Sequence, residues 1–180
     1  MHVAGTPAAD AVWPRSLGPR PELQRAPIRR VRYFTFGEDE AKDRYFINGR
    51  RFRADRVDEV VKLGTTEEWV LRNVTREEHP FHLHVNDFEV VSINGRPHRA
   101  RGLQDTVVLP VRGVVRIRVR FTEFTGATVY HCHIAAHEDA GMMGIVEITR
   151  TGHRSSHTVD QARWPRGVMT AASHHSHPVP

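Results

Sequence analysis

From Val115 to Phe121 the chain reads V-R-I-R-V-R-F, with apolar and cationic residues taking strict turns. Successive strand side chains point to opposite faces, so Val115, Ile117, Val119 and Phe121 are expected to face a core, and Arg116, Arg118 and Arg120 water. Shorter runs of the same kind predict further strands at 31–34, 57–63, 69–74, 79–84, 88–93, 105–109, 128–132 and 144–149. Asn48-Gly49, between Tyr45-Phe46-Ile47 and Arg51-Phe52, predicts a tight hairpin because both positions tolerate positive φ, and Asn94-Gly95 marks a second turn. Only 134–140 has a helical look, one brief turn. Many short strands, frequent turns and almost no helix predict an all-β, antiparallel Greek-key β-sandwich.

The patterning stops at both ends. Residues 1–28 carry several prolines and no sustained period, which predicts a linker or arm. Residues 151–180 dissolve into Ser, His, Arg and Pro, which predicts a disordered or irregular polar tail. A single domain over 29–150 is therefore expected, and an apolar fraction of 39% suffices for its core. The tail histidines His174, His175 and His177 have spacing that would bind metal weakly, but no strand would hold them in place.

Charge changes little in this picture. The formal net charge of +5 rests on arginine, Lys42 and Lys62 being the only lysines. The arginines are not clustered as a nucleic-acid site requires, so no nucleic-acid partner is expected, and a solvated strand face accounts for the stripe on 114–121. No run of eighteen apolar residues occurs, so no helical membrane span is expected. The first residues lack a charged start and an apolar core, so no secretory signal is read there. The chain as it stands is expected either to stay inside the cell or to have had a signal further upstream.

The candidate chemistry lies in H-C-H-I-A-A-H-E-D-A-G-M-M, residues 131–143. Cys132 is the only cysteine, which rules out an internal disulfide, and it stands between His131 and His133 at the end of a predicted strand. Strand alternation sends the Cys132 sulfur one way and both imidazoles the other, so two ligand sets would back onto one residue. With His137 five positions on and Met142 ten, the sulfur side has the thiolate, imidazole and thioether of a blue copper site, one histidine short. The upstream run H-P-F-H-L-H supplies His79, and also His82 and His84 as a second alternating pair. Zinc would gain nothing from the spaced methionine. His98, His153 and His157 have no such pattern and are taken as ordinary polar residues.

The runs H-P-F-H-L-H-V-N-D-F and H-C-H-I-A-A-H-E-D-A-G-M-M, with F-I-N-G-R-R-F, L-G-T-T-E-E-W-V-L-R-N and Q-D-T-V-V-L-P, resemble the carboxy-terminal cupredoxin domain of the multicopper oxidases. This family includes laccases and bilirubin oxidases. The resemblance implies a cupredoxin-like sandwich with His79, Cys132 and His137 as equatorial ligands and Met142 as axial ligand of a type 1 copper. It implies that His82, His84, His131 and His133 face a trinuclear cluster of type 2 and type 3 copper, with Cys132 as the electron path. Glu138 would help to deliver protons to oxygen, and Asp139 is a weaker candidate for that work.

The implied reaction passes electrons from a small reducing substrate (a phenol, an aromatic amine or a metal ion) to dioxygen, which becomes water. No methionine-rich insert of the kind used on cuprous ion is present. In the family the cluster takes twice the four histidines found here, the rest coming from an amino-terminal domain. The expected partner is therefore a missing amino-terminal cupredoxin domain, a separate chain carrying one, or further copies of this chain as a homo-oligomer. Members are often periplasmic or secreted. The competing class is a single-copper electron-transfer cupredoxin without oxidase activity, which leaves His82, His84, His131 and His133 without work. Copper nitrite reductases fit the flanking imidazoles less well.

Overall fold

The computed structural model describes residues 23–99 and 102–154. Strands β1 (Ile28–Asp39), β2 (Arg44–Ile47), β3 (Glu59–Lys62) and β4 (Thr65–Asn73) come first. β5 (His79–Leu83), β6 (Phe88–Ile93), β7 (Arg96–Pro97) and β8 (Thr106–Leu109) follow. β9 (Val114–Phe121) and β10 (Gly126–Cys132) lead into the short helix α1 (Ala135–Asp139), and β11 (Met143–Thr149) ends the order. One sheet runs β2-β1-β4-β9-β6-β7 and the other β3-β11-β10-β5-β8. The result is the two-sheet β-sandwich that the alternation implies.

Pairing departs from the antiparallel expectation at two places. β1 lies parallel to β4, and β3 parallel to β11. Hairpin partners must run antiparallel, but β1 and β4 are separated by an excursion to the other sheet, and β3 and β11 by most of the chain, so neither pair is bound by that rule. The Asn48-Gly49 turn forms, with φ of 53° and 70°. Its expected return strand does not: after an isolated bridge between Ile47 and Arg50 the chain leaves the sheet. The Asn48 side chain takes the next rungs along β1 itself, accepting from Thr35 N–H at 2.7 Å and donating to Tyr33 O at 3.1 Å.

Phe34, Phe36, Trp69, Leu71, Phe81, Ile117 and Phe121 are completely buried between the sheets. Their rings interlock, Phe34 on Trp69 at 4.6 Å and Phe36 edge-on to Phe81 at 6.0 Å. Such aromatic pairs add about 0.5–1.5 kcal/mol each beyond the area they bury. The outer face of β9 is not simply wet: Arg116 and Arg118 both reach Glu68, at 3.0 and 3.1 Å, across the β4–β9 ladder. Part of the expected arm also packs there, since the 3-10 turn Leu23–Arg25 buries Leu23 and offers its carbonyl to Arg118.

Arg32 ties the two sheets together. From β1 it donates to both Glu67 carboxylate oxygens on β4, at 2.5 and 2.9 Å, and across the gap to Glu59 and to Val60 O on β3. Trp69 Nε1 donates to the same Glu67 at 3.0 Å. A buried charge with this many partners is tolerated, whereas removing one partner would strand the others at a cost of about 3–5 kcal/mol.

For function the decisive placement is β10, which lies between β5 and β11. Its register sets His131 opposite His82 and Cys132 opposite Phe81. On the β11 side Gly144 faces Tyr130, where any Cβ would collide with the phenol, so the close strand approach needs glycine. His157 and the tail histidines His174, His175 and His177 lie outside the described residues, as does the arm before Leu23.

Candidate metal centre

Strand β5 alternates His79, Phe81 and Leu83 inward with Pro80 and His82 outward. The same alternation on β10, together with the β5–β10 register, puts Cys132 on the inner side with His79 and sends His131 outward to His82 and His84. Two groups of potential metal donors result: His79, Cys132 and His137 inside, and His82, His84 and His131 outside, each with its donor atoms within 4.8 Å of one another.

In the inner group Cys132 Sγ lies 3.6 Å from His79 Nδ1 and 3.7 Å from His137 Nδ1, and the two nitrogens are 3.2 Å apart. All three side chains are buried. His137 arrives on α1, whose single turn brings it back towards the end of β10. The next residues close the loop: Met142 N–H donates to His137 O at 2.9 Å, and Met142 O accepts from Cys132 N–H at 3.0 Å. Met142 itself is completely buried.

Each inner imidazole has its second nitrogen occupied. His79 Nε2 meets Thr75 Oγ1 at 2.7 Å, and His137 Nε2 meets the Glu77 carboxylate at 3.3 Å. Tyr45 stacks on the His137 ring, centroids 4.1 Å apart and planes within 15°. Burial, with the neighbouring His137 ring adding to it, holds His79 down at about 4, so it is neutral and able to donate a lone pair at neutral pH. Burial pushes the Cys132 thiol up to about 11; a backbone hydrogen bond at Ile134 opposes this, and the carboxylates of Glu138 and Glu77 add to it. The thiol therefore keeps its proton until a cation displaces it.

The outer group presents the opposite nitrogens. His82 Nδ1 lies 3.0 Å from Asp105 O, and since a carbonyl only accepts, Nδ1 carries the proton and Nε2 is bare in the neutral ring. His131 Nδ1 likewise lies 2.9 Å from Cys132 O and 3.1 Å from Glu138, leaving its Nε2 to face His84 Nε2 at 3.0 Å. Partial desolvation of the ring and the neighbouring His82, His131 and His133 rings lower the His84 pKa. His133 stands beside this group, its ring 5.2 Å from His82 and 5.7 Å from His131. His84 and His133 are exposed, so the outer group opens to solvent on one side. Asp139 is exposed too, whereas Glu138 touches His131 of the cluster.

Asn73, Thr75, Glu77 and Tyr45 were not singled out from sequence. Thr75 and Glu77 precede His79 by four and two residues, and Asn-x-Thr is turn chemistry that hints at local hydrogen bonding. Tyr45 comes from β2, far away in the chain, and nothing in the pattern pointed to it.

The sandwich and its buried sulfur with two imidazoles define a cupredoxin-type domain. A family model described as multicopper oxidase matches residues 25–152. The chain belongs to the multicopper oxidase family, and it corresponds to the carboxy-terminal cupredoxin domain of that family. It is 39% identical to a multicopper oxidase of Staphylococcus haemolyticus, over 59% of this chain and 25% of the relative. It is 33% identical to a laccase of Bacillus subtilis, over 76% of this chain and 31% of that protein. A crystal structure of a multicopper oxidase from Pediococcus acidilactici superposes with a TM-score of 0.70 at 30% identity, covering 83% of this chain and 33% of the other. The chain thus spans about a quarter to a third of the length of these relatives.

Proposed function

We propose that this domain works in a laccase-like copper oxidase that couples oxidation of a small reducing substrate to reduction of dioxygen to water. His79, Cys132 and His137 would hold a type 1 copper with Met142 as a weak axial donor, and His82, His84, His131 and His133 would supply half the ligands of a trinuclear site. The donor set fits copper: a thiol and two imidazoles converge in a dry pocket, the mixture that selects copper over hard cations. When bound, copper would supply the one-electron redox chemistry that no side chain here provides. The single observation that carries the proposal is the back-to-back placement of the two donor groups, joined by the His131–Cys132 peptide and by the hydrogen bond from His131 Nδ1 to Cys132 O.

The chain's own residues then have distinct tasks. Cys132 gives the sulfur and the covalent route into β10. His131 would receive that route on the outer side, and Glu138, in contact with His131 Nδ1, would hold and pass a proton to oxygen bound there. The exposed side of the outer group is where a second cupredoxin unit would add its imidazoles, from an earlier domain of a longer chain, a separate chain or another copy.

Copper titration with an absorption spectrum tests this. The expected result is an intense visible copper–thiolate band saturating at one equivalent, with further copper bound and oxygen consumed once the complementary unit is present. A chain that binds one copper, shows the band, and consumes no oxygen with any complementary unit is the electron-transfer cupredoxin instead. Sedimentation of the copper-loaded chain separates the assembly options, since a strict monomer excludes self-assembly.

A further inference from the structure

His79 is completely buried, and its Nε2 meets the Thr75 hydroxyl at 2.7 Å. A neutral imidazole carries one proton, and which nitrogen holds it decides whether Nδ1 can face Cys132 as a donor of electrons or must face it as an N–H. The hydrogen bonds around Thr75 settle this. The Asn73 amide nitrogen lies among three carbonyls, Glu77 O at 2.7 Å, Pro110 O at 3.1 Å and Leu109 O at 3.3 Å, which fixes the amide orientation. Asn73 Oδ1 therefore faces Thr75, accepting from its N–H at 2.9 Å and lying 2.8 Å from its hydroxyl.

The other oxygen near that hydroxyl is Glu77 O at 3.1 Å, also an acceptor. Giving the single Thr75 hydroxyl proton to the ring instead would leave the hydroxyl's lone pairs against two acceptor oxygens at 2.8 and 3.1 Å, so the proton goes to one of these oxygens. Thr75 Oγ1 also takes the Glu77 N–H at 3.3 Å, leaving one lone pair, and that lone pair faces His79 Nε2. The bond must then run from Nε2–H to the hydroxyl oxygen. We propose that Thr75, oriented by Asn73, is a positioning residue that fixes His79 as its Nε2–H tautomer and so keeps the Nδ1 lone pair directed at Cys132.

The consequence for copper rests on the proposed type 1 site; the tautomer itself does not. With the hydroxyl gone, the Nε2–H would lose its acceptor in a dry pocket, and the ring would be free to move its proton to Nδ1, where a hydrogen bond to the sulfur awaits it. Metal binding would then have to reverse that tautomer first. Loss of such an outer partner typically costs about 10–100-fold in metal affinity.

Nitrogen-15 NMR of the His79 ring in the metal-free full chain is the direct test. The wild-type is expected to show a protonated Nε2 and a bare Nδ1, Thr75→Val a population with the proton on Nδ1, and Thr75→Ser the wild-type pattern. After copper is added, Thr75→Val is expected to bind about 10–100-fold more weakly and to shift the reduction potential of the visible-band copper, with Thr75→Ser restoring both. A wild-type ring protonated on Nδ1 overturns the proposal, whether or not any variant folds. So does a folded Thr75→Val protein with unchanged tautomer, affinity and potential. If the wild-type tautomer is as stated but copper gives no visible band, the tautomer stands and the copper site falls.

Discussion

The two histidine groups are built from neighbouring residues of the same strands, yet they differ in enclosure and in the nitrogen they present. The inner group is sealed under the sandwich core and offers Nδ1 atoms around a sulfur. The outer group lies on the open face of the five-stranded sheet and offers Nε2 atoms, with Asp105 O and Cys132 O holding the Nδ1 protons of His82 and His131. In each group the orientation of the ring is set at the nitrogen that faces away from the centre. The difference teaches that strand alternation, with α1 returning His137 to the inner side, can make one closed and one open group of donors. The inner donors are enclosed by this chain, whereas the outer donors open to solvent, where in the proposed oxidase a second unit would add its own.

Cys132→Ser breaks the comparison most severely. It removes the soft donor from the inner group and leaves the outer group untouched, so the visible copper–thiolate band is expected to vanish entirely and copper binding to fall by one equivalent per chain. Absorption and metal analysis check both. A variant that keeps the band would show that the sulfur is not a ligand.

Thiol reactivity in the metal-free chain sharpens the contrast in enclosure. Because burial pushes Cys132 up to about 11, only a minute fraction is thiolate at neutral pH. Alkylation of the folded chain is expected to rise about tenfold per pH unit through the range below that value, while the denatured chain titrates at the ordinary, lower pKa. Equal rates in the folded and denatured chains at pH 8 would show that the pocket is open.

Acid exposes the inner group in another way. His79 has its pKa depressed to about 4 from an ordinary 6.5, so the metal-free fold disfavours its protonation. The sign follows for a base with a lowered folded pKa: its stability contribution is fully present above 6.5 and is lost as pH falls towards 4. The loss is on the order of 3 kcal/mol at 1.36 kcal/mol per pKa unit. Thermal melts of the wild-type and of His79→Gln between pH 7 and 4 should diverge in slope, the wild-type falling more steeply. Parallel slopes would remove His79 as the cause.

Much of this is legible in the sequence, for identifiable reasons. The strand at 114–121 was readable because its alternation is decided by one residue at a time, and the two donor groups because Cys132 and its flanking histidines are adjacent in sequence. What escaped depends on which strands become neighbours. The parallel β1–β4 pair, the stacking of Tyr45 on His137 and the Asn73–Thr75 support of His79 all follow from the tertiary arrangement, to which local period is blind. The expected return strand after Asn48-Gly49 failed for a related reason: the Asn48 side chain competes for the β1 rungs that a strand would have used.

The smallest effect tests the open side. Val85 follows His84 at the rim of the outer group, with φ of 74° and 56% exposure. A β-branched residue with positive φ is a genuine outlier, because its Cβ crowds the backbone at a cost of about 1–3 kcal/mol; here it sits at the centre of a tight turn closed by Asn86 N–H donating to His84 O at 2.8 Å. Glycine would remove the crowding but lose part of the gain to unfolded-chain entropy, leaving a net stabilisation of about 1 kcal/mol. Val85→Gly is therefore expected to raise the Tm by about 2–4 °C, while the visible copper band, which belongs to the inner group, stays where it is. A lowered Tm would mean that Val85 contributes packing that outweighs its strain. A moved band would mean that the two faces of β5 are not independent.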